Sequence, residues 1–231
     1  ANRLASDMPE FKQCDGRRYL KNVEACRDWF TSEIIAARSL PFDNKSATPV
    51  FFVGFPRSGT TLMEQILSAH PDVVTTAEKS PLQHIREHLT RRFGNNRPFP
   101  FFLDDLSTEH LMEAQDLFWE DAGRVVDLTP NAILIDKMPL NIVDLGFANL
   151  LFPHAKVVVA LRDPMDVCLS CFMQNFGASD AMANFLDIET TDNAYGRVMG
   201  LWVHYKKVLT LPFMEYRYED LVQDFHHTTC L

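Results

Sequence analysis

The chain of 231 residues contains no uninterrupted apolar run of about 20 residues, the length a helix needs to cross a bilayer, so no membrane span is expected. Its opening stretch, ANRLASDMPEFKQCDGRRYL, lacks the apolar centre of a secretory leader. The first residue is Ala rather than Met, as in a chain that has been processed or cut from something longer. An excess of positive charge is also missing. Lys and Arg number 22 against 31 Asp and Glu, a formal net charge of −9. Nucleic-acid binding needs clustered cations facing phosphates, so that class is set aside. A small anion held by one locally positive loop remains open, because such a loop can sit inside an acidic whole. An even, regularly spaced set of cysteines is absent too. The five present, Cys14, Cys26, Cys168, Cys171 and Cys230, are odd in number and irregular in spacing. That excludes a disulfide framework and predicts free thiols in a reducing, cytoplasmic compartment. No internal repeat or low-complexity tract is found.

What is present is the composition of one large α/β domain: 46% hydrophobic and 23% charged residues. Helical periodicity runs from Arg17 to Arg38, with Leu20, Val23, Trp29, Phe30, Ile34 and Ile35 on one broad face. The span from Pro41 to Pro49 reads as a connector, so residues 1–48 form a helical arm and linker and 49–231 the main domain. The sequon Asn44-Lys45-Ser46 has no meaning without secretion. VFFVGF, AILID, KVVVAL and FMEYRY read as strands, the first and third as runs buried on both faces. Helices alternate with them: TTLMEQILSAH, Pro81 to Arg92, a capped helix from Ser107 to Gly123, NIVDLGFANLLF, DPMDVCLSCFMQNF, Thr191 to Leu209, and EDLVQDF. Such alternation predicts a short parallel sheet of four or five strands in a three-layer, P-loop-like α/β fold.

The segment GFPRSGTT, from Gly54 to Thr61, has the length and glycine spacing of a phosphate loop between a buried strand and a helix. Gly54, Gly59 and Thr61 match the pattern, whereas the usual lysine position holds Thr60 and the positive charge sits at Arg57. The amides of Ser58, Gly59, Thr60 and Thr61 at a helix N-terminus, with the forked donors of Arg57, suit one phosphate and its attached group. What is lost is the lysine that spans the phosphates of a nucleoside triphosphate. A second grip follows in VVVALRDPMDVCLSCF. Arg162 stands where a strand gives way to a helix, and Ser170 lies a little over two turns into that helix. A guanidinium and a hydroxyl so arranged can hold a second phosphate, so the pair of grips fits a bisphosphorylated nucleotide better than ATP. Three other patterns weigh less. AILID ending in Asp136 could be the metal-binding strand of a kinase or nucleotide hydrolase, a reading weakened by the missing lysine. His84, Glu87 and His88 satisfy H-x-x-E-H but read as a solvated helix face, and no metal is expected. Cys168 and Cys171, inside a helix, read as small buried residues.

The stretch FFVGFPRSGTTLMEQILSAHPDVVTTAEKSPL resembles the sulfotransferase superfamily, in the branch of the tyrosylprotein sulfotransferases and the bacterial domains that follow tetratricopeptide repeats. The resemblance runs from about Pro49 to about Asp224. It implies a transferase that moves a sulfuryl group from 3′-phosphoadenosine 5′-phosphosulfate to a hydroxyl on a small-molecule or peptide acceptor, a tyrosyl group among the candidates. It implies that Arg57 to Thr61 bind the 5′-phosphosulfate and that Arg162 and Ser170 bind the 3′-phosphate. Glu78 in TTAEKSPL falls on the family's general base, although Ala77 replaces the second of two acids usual there, and His84 is the alternative. Lys137 in LIDKMPLN falls on the lysine that, with Arg57, stabilises the leaving phosphate. Tyr218 falls on a tyrosine near the site. The family domain continues with a segment that covers the adenine and the 3′-phosphate, and that segment is missing here. The C-terminally incomplete domain could therefore be a nucleotide-binding remnant that no longer turns over.

Overall fold

The computed structural model describes residues 8–41, 47–94 and 97–229; the sequon at Asn44, the loop residues Asn95 and Asn96, and Cys230 lie outside them. Helices α1 (Pro9–Lys12), α2 (Gly16–Trp29) and α3 (Ser32–Arg38) lead into β1 (Val50–Gly54). There follow α4 (Thr60–Leu67), β2 (Val73–Thr75), α5 (Pro81–Phe93), α6 (Thr108–Val125) and β3 (Ile133–Lys137). The chain continues through α7 (Leu145–Leu151), β4 (Lys156–Leu161), α8 (Pro164–Met173) and α9 (Ile188–Val208). It ends in β5 (Phe213–Arg217), α10 (Tyr218–Gln223) and α11 (Phe225–Thr229). No helix among the described residues is long and apolar enough to cross a membrane.

The five strands form one sheet in the order β2-β3-β1-β4-β5, and every neighbouring pair is parallel. Helices cover both faces, so the three-layer α/β architecture expected from the alternation is the one observed. The larger core lies on one face, where Phe51, Val53, Leu134, Val157 and Val159 meet α2, α3, α5, α6, α7 and α9. The smaller core lies on the other, where Phe52, Ile135, Ala160 and Tyr216 meet Met63 of α4 and Leu221 of α10. Successive strand residues point to opposite faces, which is why adjacent residues of β1 and β3 divide between the two cores.

Local details depart from the sequence reading in four places. The helical stretch from Arg17 to Arg38 is two helices. Phe30 leaves helical geometry and drops fully into the core, and the Thr31 hydroxyl caps α3 by accepting from the Ile34 amide at 3.3 Å. Gly123 does not end α6, which continues to Val125. The edge strand β2 has only three residues, too few for a periodicity to show, and exists through its pairing with β3. The residues set apart as an N-terminal arm contribute Val23, Cys26, Trp29, Phe30, Ile35 and Leu40 to the main core.

The strand order decides where a ligand can sit. The chain leaves β1 toward β2 on one side and leaves β4 toward β5 on the other. The carboxyl ends of β1 and β4 therefore flank a topological switch point, the place where such sheets open a crevice. Gly54 stands opposite Ala160 in that pair, so the loop after β1 and the loop after β4 emerge side by side.

Candidate active site

The loop from Phe55 to Gly59 turns tightly over the switch point. A Cβ on Gly54 would lie 2.8 Å from the Ala160 carbonyl oxygen and 2.8 Å from Ser58 Oγ, so only glycine fits between the loop and β4. Gly59 caps α4 at φ +90°, with the Tyr218 ring 2.4 Å from where its Cβ would be. Arg57 also takes a positive φ, 70°. Left-handed backbone at a residue with a side chain concentrates in functional loops, where surrounding structure holds it in place. Ser58 is turned inward: its amide and hydroxyl both donate to the Phe55 carbonyl, at 3.2 and 2.6 Å. The amides left to face an anion are those of Gly59, Thr60 and Thr61, which open the first turn of α4 and have no carbonyl of that helix to bond.

The second motif arrives at the same point. Arg57 Nε donates to Ser170 Oγ at 3.0 Å, and Arg162 Nη1 donates to the Arg57 carbonyl at 3.2 Å. Arg162 also makes the ordinary pair with Asp166, at 3.2 Å, yet its Nε is buried with no hydrogen-bond partner among the described residues. The guanidinium carbon lies 4.6 Å from the Tyr218 ring centroid, a stacking contact that fixes its plane. Asp163 caps α8 by accepting from the Met165 and Asp166 amides, while Cys171 Sγ donates to the Pro56 carbonyl at 3.3 Å and ties that helix to the phosphate loop. Cys168 and Cys171 are buried in the helix. Tyr216, which the sequence reading passed over, donates its hydroxyl to the Gly59 carbonyl at 3.3 Å.

The carboxyl end of β3 supplies the third element. Lys137 pairs with Glu78 at 2.6 Å, and the Glu78 amide donates to the Lys137 carbonyl at 3.1 Å. Ala77 and Glu78 both take positive φ, 46° and 70°, which turns the Glu78 side chain outward to 51% exposure over the buried ammonium. Lys137 also meets a residue that was not anticipated, Glu64 of α4, at 3.0 Å. His84, the alternative base, is directed to Asp121 of α6, with Nδ1 and Oδ2 2.8 Å apart.

Asp136 points to the opposite face of the sheet from Lys137 and takes no part in this cluster. It is fully buried and accepts from Thr76 Oγ1, Ser80 Oγ and the Leu82 amide at 3.2, 2.8 and 3.3 Å. A carboxylate so engaged is a structural anchor for the start of α5, not a free metal ligand beside the phosphate loop. Burial pushes its pKa up to about 6, against the lowering effect of those three bonds. The unfolded value is near 3.8, so between the two the folded chain keeps a proton the unfolded chain has released, and stability falls as the pH rises through that window. Asp136→Asn carries no charge to bury. Its stability relative to wild type is expected to rise by about 2 kcal/mol from pH 4 to pH 7, measured by urea unfolding at both values. A difference that does not change with pH would mean that Asp136 carries no buried charge.

Sequence comparison bears on the chain as a whole. A model of the sulfotransferase family matches residues 49–230. The chain belongs to the sulfotransferase family. Protein-tyrosine sulfotransferase 1 of Danio rerio is 33% identical over 130 residues, 54% of this chain and 36% of that protein. A protein of Aquifex aeolicus (strain VF5) is 26% identical over 229 residues, 97% of this chain and 29% of that protein. This sulfotransferase-family chain thus spans about a third of the length of the curated relatives it matches. Among solved structures, the sulfotransferase domain from the Synechococcus PCC 7002 olefin synthase aligns with a TM-score of 0.49 and 19% identity, covering 82% of this chain and 72% of that one.

The sulfotransferase fold opens a cavity of about 830 Å³ lined by α2, α5 and the segment after β3. Gln83, Met138 and Asn141 are among the lining residues, and Met138 directly follows Lys137 in the chain. Asn141 Nδ2 and the Gln83 amide both donate to Ser80 Oγ, at 2.6 and 3.3 Å, so this wall is braced against Asp136. Further in, Phe99 and Phe101 from the Pro- and Phe-rich loop face the buried Arg86–Asp144 pair, 2.9 Å apart.

Proposed function

We propose that this chain transfers a sulfuryl group from 3′-phosphoadenosine 5′-phosphosulfate to a hydroxyl acceptor. The observation that carries the reading is the meeting of Arg57 and Ser170 at 3.0 Å, which joins the two phosphate grips at one switch point. The free amides at the start of α4 and the Arg57 guanidinium bind the 5′-phosphosulfate. The Arg162 guanidinium and Ser170 bind the 3′-phosphate, with Tyr218 holding the Arg162 plane.

In the transfer, the acceptor oxygen forms a bond to sulfur as the bond from sulfur to the 5′-phosphate oxygen breaks. Glu78 takes the acceptor proton. Lys137 and Arg57 meet the charge that grows on the departing phosphate oxygen, and Lys137 keeps its own protons. Such loose transition states need positioning and cationic stabilisation more than covalent help, and preset side-chain cations supply both. The acceptor approaches from the side of Met138, which follows Lys137 in the chain and lines the cavity. Tyrosyl acceptors fit the relatives named above, and the aromatic lining at Phe99 and Phe101 favours an acceptor with an apolar body.

Calorimetric titration tests the donor site. Adenosine 3′,5′-bisphosphate is expected to bind in the micromolar range, with 5′-AMP and ATP–Mg²⁺ at least about tenfold weaker because neither can use both grips. Preference for ATP–Mg²⁺ would replace the proposal with a phosphoryl-transfer reading. Ser170→Ala is expected to weaken the bisphosphate by about 10-fold or more, the loss of one hydrogen bond to a charged group, and to weaken 5′-AMP by clearly less, through Arg57 alone. Equal weakening of both nucleotides would remove Ser170 from the 3′-phosphate.

A further inference from the structure

Glu64 is a buried charge that neither the phosphate grips nor the proton transfer uses. Lys137 follows Ile135 on the sheet face that α4 covers, and Glu64 lies one turn into that helix. Its Oε2 is 3.0 Å from Lys137 Nζ, and its side chain is 11% exposed. Its Oε1 is buried and has no hydrogen-bond partner among the described residues. The single ammonium of Lys137, itself 3% exposed, is thus shared by one buried carboxylate and by Glu78, which is half-exposed.

The two carboxylates cannot have the same task. A buried ammonium stripped of its counter-charge is strongly destabilising. Glu78 has to leave Lys137 to accept the acceptor proton, and its exposed position on a turn lets it do so. Glu64, fixed on a helix under the sheet, remains. Its unpartnered Oε1 offers the ammonium a second oxygen on the same carboxylate when Glu78 departs.

We propose that Glu64 is the fixed counter-charge of Lys137, a positioning residue that keeps the ammonium on the donor's leaving oxygen while Glu78 turns to the acceptor. The inference rests on the transfer reading above. Glu64 exchanges no proton: the acceptor proton goes to Glu78, the sulfur–oxygen bond to the phosphate breaks as the new one forms, and Lys137 retains its protons throughout.

A double-mutant cycle with Glu64→Gln and Lys137→Met tests this, read by thermal melting and by steady-state kinetics. Glu64→Gln alone is expected to lower kcat on the order of 10- to 100-fold with the donor KM nearly unchanged, and to lower Tm by several degrees. Glu64→Asp should recover part of the rate. In the Lys137→Met background the same Gln substitution should cost no further rate and should raise Tm, because it neutralises a stranded carboxylate. Equal losses in both backgrounds, or a loss confined to the donor KM, would overturn the proposal. If the wild-type chain transfers no sulfuryl group while the melting coupling is present, the transfer reading fails and the Glu64–Lys137 pairing stands.

Discussion

Replacing Glu78 with glutamine is expected to lower kcat by about 10² to 10⁴, the usual contribution of a positioned general base, while leaving the affinity for adenosine 3′,5′-bisphosphate within about twofold of wild type. Glutamine preserves the size of the side chain and tolerates the positive φ of 70° no worse than glutamate does. What it loses is the ability to take a proton. The side chain lies at the carboxyl end of β3, whereas the nucleotide grips lie over β1 and β4, so binding and chemistry separate cleanly in this variant. Lys137 keeps Glu64 as a partner in Glu78→Gln, so the fold is expected to survive. Single-turnover rates and calorimetry on the same preparation make the comparison. A variant that transfers at the wild-type rate would remove Glu78 as the base.

Arg57→Ala is expected to behave differently, losing both affinity and rate. In the proposed transfer the guanidinium meets the phosphosulfate, and in the structure it donates to Ser170, so its removal should cost about 10² to 10³ in kcat/KM, together with a weaker bisphosphate complex. Arg57 is solvent-exposed in the loop, so truncation leaves no buried partner unsatisfied and the fold is expected to persist. Because Arg57 Nε donates to Ser170 Oγ, the double variant Arg57→Ala, Ser170→Ala should lose less than the product of the two single losses. Losses that multiply independently would mean that the two grips do not share a ligand, and an unchanged kcat/KM would take Arg57 out of the site.

The phosphate loop was legible because its parts are contiguous. A buried strand, two glycines, an arginine and a helix start occupy one short segment, and local sterics dictate the rest. The placement of Arg162 after a strand and of Ser170 in the following helix was legible for a similar reason, since it needs no help from distant residues. Glu78 and Lys137 were each visible as candidates, but not as a pair. Lys137 cannot pair with its neighbour Asp136, because successive residues on a strand face opposite ways. Glu64 left a signal that went unread. In TTLMEQIL it shares the buried face with Thr60 and Met63, and an acid on the apolar stripe of a helix needs a cation to meet it.

Short-range physics in the chain therefore decided the layers, the alternation, the phosphate loop and the chemical character of the site residues. The apolar runs, caps and glycines act over a few residues and leave little choice. Tertiary structure alone decided the strand order, the edge strand β2, the break at Phe30 and the sharing of Lys137 between Glu64 and Glu78. Each of these depends on groups far apart in the sequence being desolvated together. A parallel sheet joins residues that no local pattern connects, and a buried ammonium finds its counter-charge only once that sheet and its covering helix have closed over it.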